Sequence, residues 1–246
     1  MLQIENLTKR FGDVTAVRGV DLSVAPGEIF SLIGPNSSGK TTIVKTVAGL
    51  LSVDRGKVTI GGLDLARDSV AAKRLIGYIP DEPAAWSGMT GEELLHFVGA
   101  LYGMDVSLRR ERIAEMLPLF SLEGIAGDYF DNYSRGNKQK FSILAALLHE
   151  PKLLLVDEPI VGLDPGSAAK ARTLFTAFAK AGGSVLLVTH TLPVAQAIAD
   201  RIGVLVRGEL RATGTLAELR TKAGKGASAT LEAVYTAFAK DAGSAA

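Results

Sequence analysis

The chain has 246 residues, 47% of them hydrophobic and 22% charged, which excludes disordered and low-complexity classes and leaves enough material for a substantial core. Lysine and arginine number 27 against 26 acidic residues, and a formal charge of +1 argues against a charge-driven nucleic-acid binder. With no cysteine, disulfides, thiolate metal sites and cysteine nucleophiles are excluded.

The first residues, Met1 to Asn6, lack the basic-then-apolar layout of a secretory signal. Residues 2–33 and 57–60 hold short strand patterns with turn signals at Phe11-Gly12-Asp13, Ala25-Pro26-Gly27 and Gly61-Gly62, which predicts an antiparallel β layer. Glu28 to Ile33 is a strand feeding a glycine-rich loop, and Thr42 to Leu50 is a helix. Residues 90–150 are mostly helical, with Leu94, Leu95, Phe97, Val98 and Leu101 on one apolar face and Ile113, Met116, Leu117 and Phe120 on another. Leu153 to Val156 and Ser184 to Val188 are continuous apolar runs, as in strands covered on both faces. The alternation of strands and helices predicts an α/β fold with a mostly parallel sheet. No apolar run approaches the roughly 18 residues of a membrane span; Ser142 to Val156 is interrupted by His149, Glu150 and Lys152. The chain therefore reads as soluble by itself, with docking on a membrane protein left open. After Gly224 a tail rich in alanine, glycine and lysine carries one amphipathic stretch, Leu231 to Phe238.

Gly34-Pro35-Asn36-Ser37-Ser38-Gly39-Lys40-Thr41 fits G-x-x-x-x-G-K-[ST] between a strand and a helix. The spacing suits a loop whose N–H groups turn inward around a phosphate, with Lys40 reaching the β- and γ-phosphates and the Thr41 hydroxyl on Mg²⁺. Thr42 follows at the start of the helix, whose positive dipole end also favours an anion. A plain Gly/Ser turn is the bland alternative. The loop alone leaves GTPase, kinase and ATPase open, although Asn137-Lys138-Gln139-Lys140 lacks the aspartate of a guanine reader. Leu153 to Val156 runs into Asp157-Glu158-Pro159, so one acid can hold Mg²⁺ while the next polarises a water; a surface turn is the alternative.

Five segments occur in order: Gly34 to Thr41, Tyr133-Ser134-Arg135-Gly136-Asn137-Lys138-Gln139-Lys140, Leu153 to Pro159, Gly162-Leu163-Asp164-Pro165, and Thr189-His190. Together they strongly resemble the nucleotide-binding subunit of ATP-binding cassette (ABC) transporters, from about Leu2 to Gly214. The resemblance implies a P-loop NTPase core with a helical subdomain inserted at about 90–150, a cassette over 1–220 and a C-terminal extension over 221–246. It implies an ATPase that uses ATP and Mg²⁺. It also implies a multi-span membrane permease as partner, a homodimer or a dimer with a related ATPase subunit, and a peripheral place on the cytoplasmic membrane face, with no nucleic acid bound. By the same resemblance Phe11 stacks on adenine, although a core or turn aromatic is the alternative. Ser134 and Gly136 contact the nucleotide of the opposite subunit, Asp164 lies in the loop crossing the dimer interface, and His190 contacts the γ-phosphate. Glu158 is the implied base, with Lys40 and His190 on the developing charge, and Asp81 joins Thr41 and Asp157 near the metal. His96 and His149 read as surface or helix-packing residues.

Three departures from the family pattern stand out, at five positions. Ser37 stands where glycine is usual, and a positive φ there costs a serine of order 1 kcal/mol or more. Asp81 replaces the usual glutamine after Pro80. Tyr133, Arg135 and Asn137 replace residues of the usual Leu-Ser-Gly-Gly-Gln. The Asp81 and Tyr133–Gln139 patterns look like an exporter-like subclass. The docking surface for the permease is expected near Asp81 to Leu101, where Trp86, Ala84, Ala85 and Met89 either form an apolar contact or pack inside. A soluble ABC ATPase acting on a macromolecule and a binding-only regulatory module are the competing readings.

Overall fold

The computed structural model describes residues 1–83, 87–160 and 162–240. Strands β1 (Leu2–Phe11) and β2 (Val14–Val24) form an antiparallel hairpin in register Leu2↔Val24 and Phe11↔Val14. Leu2 and Ile4 are buried while Gln3 and Glu5 are exposed, the period-two pattern of a strand with one wet face. Strands β4 (Arg55–Ile60) and β5 (Leu63–Asp64) complete a sheet of order β2-β1-β4-β5.

The second sheet has the order β10-β9-β3-β8-β7-β6, from β3 (Ile29–Ile33), β6 (Ile76–Ile79), β7 (Leu153–Asp157), β8 (Ser184–Thr189), β9 (Arg201–Val206) and β10 (Glu209–Gly214). All its pairings are parallel except β9 with β10. The antiparallel layer expected over residues 2–33 therefore ends at Val24. Ile29–Ile33 is buried at all five positions, so it lacks the alternation of a half-wet strand and takes a place inside the parallel sheet.

Helix α1 (Lys40–Val47) follows β3 directly, and α2 (Ser69–Arg74) precedes β6. Helices α3 (Gly91–Leu101), α4 (Val106–Met116) and α5 (Arg135–Leu147) fill the segment between β6 and β7. Thr90 starts α3 with a capping box, its hydroxyl accepting from Glu93 N while Glu93 accepts from Thr90 N. Leu94, Leu95, Phe141, Leu144 and Leu148 pack with Ile79 and Val156 in one core cluster. The predicted apolar face of α3 divides: Leu94 and Leu95 enter the core, whereas Phe97 and Leu101 are exposed, Leu101 by 66%.

Helix α6 (Pro165–Lys180) leads to β8, and α7 (Leu192–Ile198) leads to β9. Helices α8 (Leu216–Lys222) and α9 (Leu231–Lys240) close the described chain. Leu231 and Val234 of α9 are fully buried among Ile33, Ala195, Ile202 and Val204. Trp86, Ala84 and Ala85 lie outside the described residues; Met89 is partly buried and its carbonyl accepts from Phe130 N.

His149 packs as the sequence suggests. Its ring stacks on Tyr102 with centroids 3.5 Å apart, and Nε2 lies 3.0 Å from the Ile76 carbonyl oxygen. Burial lowers its pKa from 6.5 to about 4. Between those values the unfolded chain holds the proton and the folded chain does not, so stability falls as pH drops through that window and is fully present above it. His149→Phe is expected to flatten this part of the stability profile, as read from urea midpoints of variant and parent across pH 4 to 6.5.

Candidate active site

The loop between β3 and α1 is shaped by glycines where side chains have no room. A Cβ at Gly34 would strike the Leu205 carbonyl oxygen, and one at Gly39, which has φ +103, would strike that of Ala16. The turn between β9 and β10 buttresses the loop from outside, with Gly208 N donating to Ser38 O at 2.9 Å. Lys40 is buried, and its Nζ donates to the carbonyls of Gly34 and Pro35, both at 2.8 Å. The ammonium thus sits inside the curl of the loop. Burial lowers the Lys40 pKa, with the charges of Glu158 and Asp157 acting in the opposite direction.

Ser37 adopts φ +63, the left-handed conformation that explains why glycine would suit this position. Ser38 Oγ is buried without a hydrogen-bond partner among the described residues, a polar atom in the loop that a bound anion can satisfy. Backbone, buried cation and unpaired hydroxyl together fit a phosphate group.

Thr41 Oγ1 lies 3.5 Å from Asp157 Oδ1. Asp157 ends β7, is 1% exposed, and burial raises its pKa to about 6. A hydroxyl and a carboxylate form an all-oxygen donor pair suited to Mg²⁺, which takes one or two protein ligands and completes its shell with phosphate and water.

Glu158 does not continue the strand. Its φ of +48 turns the chain, and its backbone N–H donates to Val188 O at 2.9 Å. Its carboxylate is held by β8 and the residue beyond. Oε2 accepts from the Thr189 hydroxyl at 2.8 Å, while Oε1 accepts from His190 N and lies against His190 Nδ1, both at 2.6 Å. Glu158 is 9% exposed, whereas the His190 side chain is 56% exposed and reaches the cleft.

These elements border one cleft of about 950 Å³, whose lining includes Phe11, Asn36 to Thr42, Asp81, Arg135, Glu158 and His190. Phe11 is 49% exposed on its rim, so the core alternative for this ring does not hold. Gly34 and Pro35 lie beneath, as carbonyl acceptors for Lys40. Asp81 Oδ1 is 3.5 Å from Arg135 Nη2, so two of the unusual positions meet across the cleft edge. Arg18 and Arg207 join the site without having been expected from the sequence and add positive charge to the wall, while Thr189, known from the sequence only as part of the Thr189-His190 segment, is the buried donor to Glu158.

The structure does not bring Ser134, Gly136 and Asp164 into the cleft lining. Ser134 caps α5, its hydroxyl accepting from Asn137 N at 3.2 Å. A Cβ at Gly136 would lie 2.9 Å from Gly162 O, so glycine there lets the start of α5 approach the loop before α6. Asp164 caps α6 by accepting from Ser167 N and Oγ and lies 3.5 Å from Lys140 Nζ, contacts that hold its carboxyl well below the usual range.

The family model described as ABC transporter matches residues 17–161. The linearmycin resistance ATP-binding protein LnrL of Bacillus subtilis (strain 168) is 37% identical over 224 residues, covering 91% of this chain and 72% of its own. A solved ATP-binding subunit of an ABC transporter superposes with a TM-score of 0.92 at 32% identity, over 97% of this chain and 99% of that one. The ATP-binding cassette MJ0796, in a dimeric post-hydrolysis state bound to ADP and Pi, gives 0.81 at 28% identity over 88% and 99%.

The strain at Ser37 generates a direct expectation. Ser37→Gly raises the thermal unfolding midpoint, by less than the full strain of about 1 kcal/mol because glycine also loosens the unfolded chain. Ser37→Val lowers the midpoint, since a β-branched residue tolerates positive φ least.

Proposed function

The chain belongs to the ABC transporter family as one of its ATP-hydrolysing subunits, and from that premise we propose how its residues divide the work. The observation that carries the proposal is the convergence of Lys40, Thr41 and the Glu158–His190 pair on one cleft, with Asp157 buried behind Thr41. Phe11 offers its exposed ring to the adenine. The Gly34–Thr42 loop wraps the phosphates, with Lys40 exchanging the carbonyls of Gly34 and Pro35 for phosphate oxygens. Thr41 and Asp157, with Asp81 at the cleft edge, would hold Mg²⁺, which would supply charge neutralisation on those oxygens. Glu158 takes the proton of a water whose oxygen bonds to the γ-phosphorus. The bond from that phosphorus to the β–γ bridging oxygen breaks, releasing ADP and phosphate. Lys40 and His190 stabilise the charge that develops.

Two copies, or this chain and a related subunit, would each complete the other's site. Ser134 and Gly136 head α5 outside their own cleft, where an exposed helix start suits the γ-phosphate of the opposing copy. Asp164, at the head of α6, would line the same interface. The cassette comprises residues 1–220, and 221–246 form an extension.

The membrane-spanning partner would dock on an apolar groove of about 510 Å³ lined by Pro80, Leu94, Val98, Leu101, Tyr102 and Ala145. Pro80 precedes Asp81, so the groove adjoins the cleft through one peptide unit. Among the described residues no helix is long and apolar enough to cross a membrane; in this reading the translocation path would lie in that partner. The permease would be multi-span and the chain peripheral on its cytoplasmic face. The exporter-like segments and the likeness to a drug-resistance subunit support export as the direction.

Glu158→Gln is expected to retain ATP binding, lose turnover and accumulate as an ATP-dependent dimer; phosphate release and gel filtration with ATP check this, and undiminished hydrolysis would remove Glu158 from its assigned role. Leu101→Glu should leave the ATPase activity of the isolated chain unchanged but abolish co-purification of a multi-span protein from membranes in mild detergent. Its recovery in unchanged amount would displace the groove as the docking surface.

A further inference from the structure

Glu158 carries the proton-accepting role in the reading above, and the present inference rests on that reading. An ionised carboxylate offers about four acceptor positions. Three are occupied by the chain itself: two on Oε1, by His190 N and Nδ1, and one on Oε2, by the Thr189 hydroxyl. The remaining position is on Oε2, the oxygen that Thr189 holds.

The hydroxyl of Thr189 has a fixed sense. Its Oγ1 accepts from Thr191 N at 2.9 Å, so its own proton is directed to Glu158, 2.8 Å away. Thr189 is 3% exposed, which shields this contact from competing water. The backbone is fixed too. Thr189 ends β8 opposite Ile33, the last residue before the phosphate-binding loop, and Glu158 N is bonded to Val188 O. Glu158 itself sits at φ +48, a conformation that costs a non-glycine residue energy and persists only where neighbours over-determine it. Those neighbours are Val188, Thr189 and His190.

We propose that Thr189 is a positioning residue for hydrolysis: its buried hydroxyl aims the one unoccupied acceptor site of Glu158 at the attacking water. His190 alone does not fix that direction, because both of its bonds fall on the other oxygen and leave the carboxylate free to turn about them. The Thr189 bond closes that freedom. Thr189 is buried and does not line the cleft, so its loss should be confined to the chemical step.

The test compares Thr189→Val, which keeps the shape and removes the donor, with Thr189→Ser, which keeps the donor. Thr189→Ala and Glu158→Gln serve as controls. All are measured for kcat, KM and nucleotide binding, with thermal unfolding as the fold check. Thr189→Val and Thr189→Ala should lose about tenfold in kcat, the scale of one hydrogen bond to a charged group, with KM and nucleotide affinity within about twofold of the parent. Thr189→Ser should recover kcat to within about threefold. The proposal is overturned if folded Thr189→Val or Thr189→Ala turns over like the parent, if affinity falls as much as kcat, or if the serine variant is as slow as the valine. Should Thr189→Val not fold, the alanine and serine variants decide the matter on the same criteria. An inactive Glu158→Gln beside an unimpaired Thr189→Val refutes the positioning role alone, whereas an active Glu158→Gln refutes the assignment of the base.

Discussion

The parallel pairing of β8 with β3 on one side and β7 on the other is the constraint on which the site depends. Its registers set Ile33 opposite Thr189 and Asp157 opposite Val188. Three strand ends thus reach the same edge of the sheet together, and the Gly34–Thr41 loop, the Asp157 carboxylate and the Thr189-His190 pair emerge side by side. The registers are fixed because these strands are buried on both faces, where their side chains interdigitate with helices above and below. A slip of β8 by one residue would carry Thr189 away from Glu158 and reverse every face at once.

At that edge the backbone departs from regular structure, and it does so where ligands are expected. Among the described residues six non-glycines have positive φ, and three of them, Ser37, Glu158 and Arg207, line the cleft. Each costs about 1–2 kcal/mol. The surrounding bonds hold them in place: Gly208 N to Ser38 O behind the loop, and Val188 O, Thr189 and His190 around Glu158. The sheet absorbs the strain and keeps the donors aimed before substrate arrives, which is how preorganised sites save reorganisation energy.

Much of this is legible in the chain, because the informative residues are close in sequence. Gly34 to Thr41 is a local spacing, and Leu153 to Glu158 a local change from apolar to acidic. Long-range geometry is less legible. The cradle around Glu158 depends on pairing between strands 31 residues apart, and no pattern in Thr189-His190 alone reveals which carboxylate oxygen each holds. Arg18 and Arg207 come to the cleft wall through the bond from Arg18 N to Gly208 O, a contact between distant hairpins. The α3 face reads as uniformly apolar, yet Leu94 and Leu95 are buried in the core while Leu101, on the same face, is 66% exposed. Periodicity reports that a face is apolar and is silent on whether its cover comes from the same molecule. The strand at Ile29–Ile33 shows the converse: continuous burial, rather than nearness to the hairpin before it, decides which sheet it joins.

The contact between Asp81 and Arg135 changes how the departures from the family pattern are counted. Each is unusual by itself, one an acid where a neutral amide is customary, the other a base where glycine is. Paired at 3.5 Å and half exposed, they contribute little to stability, but together they leave the charge at the cleft edge unchanged. A chimaera that imported the usual signature segment alone would leave Asp81 without its counter-ion beside the phosphates, and one that restored glutamine alone would leave Arg135 without its own. The two positions are therefore electrostatically one unit, although 53 residues of chain lie between them.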